Sequence, residues 1–297
     1  MAKKIDTPLA RKAVLVSVSI SQWTARKLDK RVTDKVNREH NAADDAGRYN
    51  KLLIEQKRLA EINTLVSKAR SLHYDLTRPW ADEGPRILPN ALYAKFAEKF
   101  REIKREFERA ADAFARGYPD FVEERKRALN GLFRADDYPS PAAIREKFKL
   151  EMTVTTFPDA ADFRADLDED TLAAIRDEIA ASGNRALDGA MKVTAQQIIE
   201  TVGHMAEKLK AYNGGGDKGD APRSFFFDSL VENVRKLAEL LPAFNLANDP
   251  KLTAITKRIM KELCAEDAAV LRQNDKARES VQKSADEIVK AVEGLLG

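Results

Sequence analysis

The chain has 297 residues, of which 33% are charged and 43% hydrophobic, with a formal net charge of +3 and a single cysteine. It is too apolar to stay disordered and too charged for membrane spans, and no apolar run approaches the ~20 residues that a spanning helix needs. With only Cys264 there is no intramolecular disulfide, so a reducing cytoplasm is the expected compartment. The N-terminus, MAKKIDTPLARKAVLVSVSI, places lysines ahead of an apolar stretch in the manner of a signal peptide. Ser17, Ser19 and Ser21 at every second place, with no small-residue cleavage site, argue against one.

Residues 13–22 alternate, with Val14, Val16, Val18 and Ile20 on one side and Leu15, Ser17, Ser19 and Ser21 on the other. Period two with β-branched residues predicts a strand. After Trp23, the segment TARKLDKRVTDKVNREHN spaces Leu28, Val32 and Val36 by four. That spacing predicts a basic helix with Thr24 as its cap. A second helical pattern runs from Tyr49 to about Leu76.

Residues 70–90, RSLHYDLTRPWADEGPRILPN, then connect two helical segments. A connection between helices is usually about 2–8 polar residues. This one is longer and carries His73, Tyr74, Arg78, Trp80 and Arg86 among three prolines and a glycine. Pro79 and Pro85 push Arg78 and Gly84 out of helical backbone, and Trp80 is too large and apolar for a mobile loop. An ordered plug folded against the helices is the expectation.

Pro89 stands where a helix-start proline is expected, ahead of Leu92, Phe96, Phe100, Ile103, Phe107, Ala111 and Phe114. Phenylalanines at spacings of three and four read as core rather than as a ligand stripe. Gly117 is read as the end of this helix and Pro119 as the start of a shorter one through Phe133. Ser140 or Pro141 opens another helix to about Leu150, and EMTVTTFP alternates as a second strand, expected to pair with residues 13–22. Residues 170–212 form an approximate heptad, NGGGDKGDAPR reads as a loop at a hairpin tip, and SFFFDSLVENVRKLAELLPAF reads as a shorter helix. Residues 250–296 form the last helical segment, expected antiparallel to 170–212.

Catalytic and metal signatures are poor. His40, His73 and His204 lie far apart, none with a second ligand at metal spacing, and His204 reads as a partly buried packing residue. The acidic run DLDED at 166–170 lacks the glycine and closing glutamate of a calcium loop and reads as an acid-rich helix start. GGGDKGD lacks the phosphate-loop order, and Cys264 has no histidine in view.

Binding is the better expectation. Residues 1–149 carry 32 Lys and Arg against 22 Asp and Glu, whereas the remaining 148 carry 19 against 26. Such a split suits an acidic partner at the first half, contact between halves or subunits, or simply solvated faces. Arg26, Lys27, Lys30, Arg31, Lys35 and Arg38 concentrate cations, diluted by Asp29, Asp34 and Glu39. The plug adds arginines beside Tyr74 and Trp80, aromatic rings on which nucleic-acid bases can stack.

The stretch VLVSVSISQWTARKLDKRV, the segment HYDLTRPWADEGPRILP and the later YPSP and DFRADL pieces resemble an uncharacterised family encoded mainly by tailed phages and proteobacterial prophages, known only as a domain of unknown function. The likeness covers most of the first two-thirds of the chain. Genes of that family are often found near those of a MoxR-like AAA+ ATPase and a von Willebrand-type protein similar to cobalt-chelatase subunits. The resemblance implies an accessory or adaptor role in the host cytoplasm during infection, with such a protein as partner, and transfers no catalytic residue.

These readings predict a mainly α fold with a small β element. It would be an elongated helical bundle with long coiled-coil-like hairpins and a two- or three-stranded sheet, divided into a basic domain (1–167) and an acidic long-helix domain (168–297). The expected function is that of a phage-encoded, non-enzymatic interaction protein, an adaptor or inhibitor of a host or phage protein machine. Its partner-binding residues would be Arg26, Lys27, Arg31, His73, Tyr74, Arg78, Trp80 and Arg86, with no catalytic residue, metal or cofactor. The alternative is a nucleic-acid-binding accessory factor. Membrane association is not expected, and homo-oligomerisation is left open.

Overall fold

The computed structural model describes residues 8–81, 83–158, 168–212 and 225–296. In chain order they form α1 (Pro8–Lys12), β1 (Ala13–Ser21), β2 (Arg26–Leu28), α2 (Lys30–Glu39), β3 (Asn50–Leu52), α3 (Ala60–Asp75), β4 (Arg78–Pro79), β5 (Arg86–Pro89) and α4 (Asn90–Leu129). Then follow α5 (Pro141–Ile144), β6 (Lys149–Thr155), α6 (Glu169–Ala211), α7 (Ser229–Phe244), α8 (Pro250–Arg258), α9 (Ala268–Gln273) and α10 (Asp275–Leu296), with a π-helical turn at Ile259–Leu263. The fold is mainly α with a small four-stranded sheet of order β4-β5-β1-β6 and a two-stranded β2-β3 ribbon.

The chain divides into two compact units, but not at residue 167. One gathers the chain up to Ser17, Leu76–Ala94 and everything from Val154 on; the other gathers Val18–Asp75 and Lys95–Thr153. The expected boundary marks where the long helices begin in sequence, whereas sheet pairing joins segments some seventy residues apart. In the first unit β1 runs antiparallel to β5, Ala13 opposite Pro89 and Val16 opposite Arg86, and β5 pairs in turn with β4. The extra strands come from the plug itself. Gly84 turns that hairpin at φ +104°, a backbone region that residues with a Cβ rarely adopt. Pro79, which has no N–H to donate, sits on the edge strand β4.

The main core of the first unit lies between α6 and α10. Ala195, Ile198, Val202, Met205 and Leu209 form the buried stripe of α6; Val281, Ala285, Ile288 and Val292 form that of α10. Arg278 stacks over Tyr212, Val289 lies beside Gly203, and Leu295 packs near Met191, so the two helices run antiparallel as their heptads imply. The helix of α7 starts only at Ser229, so Phe225, Phe226 and Phe227 precede it, with Phe226 alone buried. The sequence reading of 213–223 lies outside the described residues.

In the second unit the phenylalanine stripe of α4 is core, as expected: Phe96, Phe100, Phe107 and Phe114 are all buried. This helix does not stop at Gly117 but runs through Pro119 to Leu129. Packing outweighs the lost backbone hydrogen bond here. Tyr118 is buried against Trp23, and its hydroxyl donates to the carbonyl of Pro139 at 3.0 Å. The segment after Ser140 gives one short helical turn, α5, and a 3-10 turn before β6, rather than a helix to Leu150.

Candidate interaction site

The basic stretch is not one helix. Arg26 and Lys27 lie on β2, with Arg26 opposite Leu52, Lys27 opposite Lys51 and Leu28 opposite Asn50 on β3. The helix begins at Lys30, and its cap is Asp29, whose carboxylate accepts from the Val32 amide; Thr24 plays no such part. Beneath this ribbon lies a buried charge cluster that no sequence pattern announced. The Lys51 side chain is 1% exposed and its Nζ sits 3.2 Å from Asp29 Oδ2 and 2.5 Å from Asp137 Oδ2. It also donates to the carbonyl of Leu132 at 2.8 Å, and Lys27 reaches Asp137 at 3.0 Å. Burial by itself would raise both carboxyls. The Lys51 ammonium, with the Val32 amide at Asp29 and Lys27 at Asp137, outweighs it and holds both below the usual carboxylate range.

This cluster fixes what the surface presents. Arg26, Lys30 and Arg31 are exposed above it, while Lys27 is partly committed to Asp137, Lys35 pairs with Glu39, and Arg38 donates to the carbonyl of Asp34. The Lys57–Glu55 pair and the Arg58–Glu124 pair neutralise charge elsewhere on the unit. By sequence, the second unit holds 26 Lys and Arg against 20 Asp and Glu, and the first holds 25 against 28.

His73 and Tyr74, at the end of α3, line a depression of about 240 Å³ together with Arg70 and with Val18 and Ile20 of β1. His73 is buried against Phe96, and Tyr74 is 58% exposed. The alternation of β1 explains the floor, since Val18 and Ile20 share one face of the strand.

Arg78 corrects an expectation. Expected as a partner-binding residue, it is 2% exposed and works as an internal staple of the first unit. Its Nε donates to Thr194 Oγ1 at 2.9 Å, Nη1 to the carbonyl of Thr77 at 2.9 Å, and Nη2 to Gln197 Oε1 at 2.7 Å. Its guanidinium carbon lies over the ring of Phe244, 3.4 Å from the centroid. A pre-proline arginine among prolines reads as a loop residue, and only the tertiary fold brings α6 and α7 around it. Arg86 is half-buried and donates from Nε to Thr77 Oγ1 at 2.7 Å. Trp80 is half-buried edge-on to Phe157 at 5.1 Å, against a cluster containing Leu9, Leu15, Ile87 and Leu246. The plug is therefore ordered, as its tryptophan implied, but its arginines are largely structural.

Of the remaining candidates, His40 and His204 are exposed, the latter against the expectation of partial burial. Cys264 is buried and its thiol is pushed up by desolvation. Asp168 caps α6, accepting from the Thr171 amide at 2.9 Å, which fits the reading of the DLDED run as a helix start; 166–167 lie outside the described residues. Among the described residues no group of three His, Cys, Asp or Glu is placed to hold a metal ion, and no helix is long and apolar enough to cross a membrane. Comparisons with family profiles, with curated proteins and with solved structures return no match to this chain.

Proposed function

We propose that this is a non-enzymatic interaction protein, an adaptor or inhibitor that engages an acidic surface of a protein partner through the second unit. The observation that carries the reading is the β2-β3 ribbon and the start of α2, where Arg26, Lys30 and Arg31 stand exposed on a base locked by Lys51. A rigid cationic patch loses little conformational entropy on binding and steers an oppositely charged partner toward it. The exposed ring of Tyr74 and the guanidinium of Arg70 give the same unit an amphipathic contact of the type common at protein interfaces. The family resemblance points to a phage-encoded protein whose partner is an AAA+ ATPase or a von Willebrand-type protein.

The same cations support a second reading, binding of single-stranded nucleic acid, with Tyr74 as a stacking ring. Two probes separate them: poly-glutamate as an acidic polypeptide and a mixed-sequence oligonucleotide, each followed by fluorescence anisotropy across a salt series. The adaptor reading expects retention of poly-glutamate that is lost in Arg26→Glu/Arg31→Glu. Tighter binding of the oligonucleotide, with a steep salt slope, would favour the second reading, and no binding of either would remove both.

A further inference from the structure

We propose that β6 is a self-association edge, on which two copies of this chain pair antiparallel about a two-fold axis through Met152. Among the described residues the strand ends the sheet order β4-β5-β1-β6. Lys149, Glu151, Thr153 and Thr155 are exposed on one face; on the other, Leu150 is buried, Met152 half-buried and Val154 38% exposed. An edge strand carries a row of backbone donors and acceptors that template another strand. Proteins usually blunt such edges with proline or with charges pointing inward. From Lys149 to Thr155 there is no proline, and both charges stand on the solvent side of the pleat.

The sequence of the strand selects the partner and the register. A two-fold axis normal to the sheet keeps each face on its own side, so residues of like parity must oppose one another. With Met152 on the axis, Leu150 faces Val154 of the second copy, Glu151 faces Thr153 and Lys149 faces Thr155. Leu150 is already buried in its own chain, so the apolar contact on one side comes from the partly exposed Met152 and Val154, and no like charges meet on the other. Sliding the axis to Glu151 sets two glutamates directly opposite each other, which is destabilising. Sliding it to Thr153 leaves only residues 151–155 of the strand paired, whereas Met152 at the centre pairs all seven. A strand pair of this length buries less than the ~1,000 Å² of a stable complex, so association is concentration-dependent.

The test is sedimentation equilibrium on the full chain over rising concentration, with Thr153 exchanged for each sign of charge. Because Glu151 and Thr153 oppose one another twice in the symmetric pair, Thr153→Lys strengthens the dimer and Thr153→Glu weakens it, each by roughly 2- to 30-fold in dissociation constant. The double exchange Glu151→Lys/Thr153→Glu restores pairing. Thr153 is exposed, and circular dichroism melting checks that each variant keeps its fold. A wild-type chain that stays monomeric up to about millimolar concentration, well within the range where weak contacts register, overturns the proposal. Shifts in the same direction for Thr153→Lys and Thr153→Glu, or no shift for either, overturn it equally.

Discussion

Lys51 Nζ lies 2.5 Å from Asp137 Oδ2 in a pocket where the lysine side chain is 1% exposed and the aspartate 10%. Asp29 completes the cluster from the other side at 3.2 Å. A buried pair of this kind is weak as a net source of stability but expensive to break, because the group left behind is charged and cut off from water. Lys51→Met strands two carboxylates, only one of which keeps another lysine, and should cost about 3–5 kcal/mol. Asp137→Asn leaves Lys51 still paired with Asp29 and should cost less, about 1.5–3 kcal/mol for a charged hydrogen bond. Trp23 belongs to the same unit, packed edge-on against Tyr118, so its fluorescence during urea unfolding of a Trp80→Phe background reads these changes. Equal losses for the two variants would contradict the geometry.

The same cluster sets an acid limit. Asp29 and Asp137 both titrate below the usual carboxylate range in the folded chain. Their contribution is fully present above the unfolded carboxyl pKa of about 3.9 and is lost as pH falls through the lower folded values. The wild-type chain should therefore lose stability below about pH 4 from this source. In Lys51→Met burial still raises both carboxyls, while mainly the Val32 amide at Asp29 and Lys27 at Asp137 remain to oppose it, so the gap between mutant and wild type narrows as the solution is acidified. Urea titrations of both proteins at neutral pH and at about pH 3 measure that gap.

Arg78 offers a comparable test in the first unit. Its guanidinium donates to Thr194, Thr77 and Gln197 from three different nitrogens and lies over the ring of Phe244. Lysine keeps the charge but neither the fork nor the flat face. Arg78→Lys should cost more than about 3 kcal/mol, since charged hydrogen bonds are worth about 1.5–3 kcal/mol each and two are lost. Trp80 emission, read in a Trp23→Phe background, follows it. A loss below about 1 kcal/mol, the scale of a surface substitution, would show that the contacts carry no load.

Much of this architecture was legible in period and spacing. The alternation of Val14, Val16, Val18 and Ile20 gave β1, and the three-and-four spacing of Phe96, Phe100, Phe107 and Phe114 gave the buried face of α4. The site was less legible, because its chemistry depends on residues distant in sequence. Lys51 meets Asp137 across more than eighty residues, and Arg78 meets Thr194 and Gln197 across more than a hundred. Short-range patterns rank Arg78 with the exposed arginines because nothing local says that two helices will close over it. Asp29 is the exception: an aspartate just before the periodic Val32 and Val36 is a cap signal in the sequence itself, and a stronger one than the more distant Thr24.

Gly117 and Phe121 stand one helical turn apart on α4, and the ring of Phe121 occupies the space a Cβ at Gly117 would need, with the nearest ring atom at 2.6 Å. That explains a glycine inside a long helix, where alanine would otherwise be favoured by about 1 kcal/mol. The ring is itself held, between Phe114 at 5.7 Å and the Arg58 guanidinium at 4.5 Å, so it has little freedom to turn away. Overpacking of this kind costs about 1–3 kcal/mol, so Gly117→Ala should be destabilising by about 0–2 kcal/mol once the propensity gain is set against it. In a Phe121→Ala background the obstruction is gone and only the gain remains, so the same substitution should then stabilise by up to about 1 kcal/mol. Thermal melts of the four proteins of this double-mutant cycle give the sign directly. A destabilising Gly117→Ala in both backgrounds would mean that something other than the ring reserves the space.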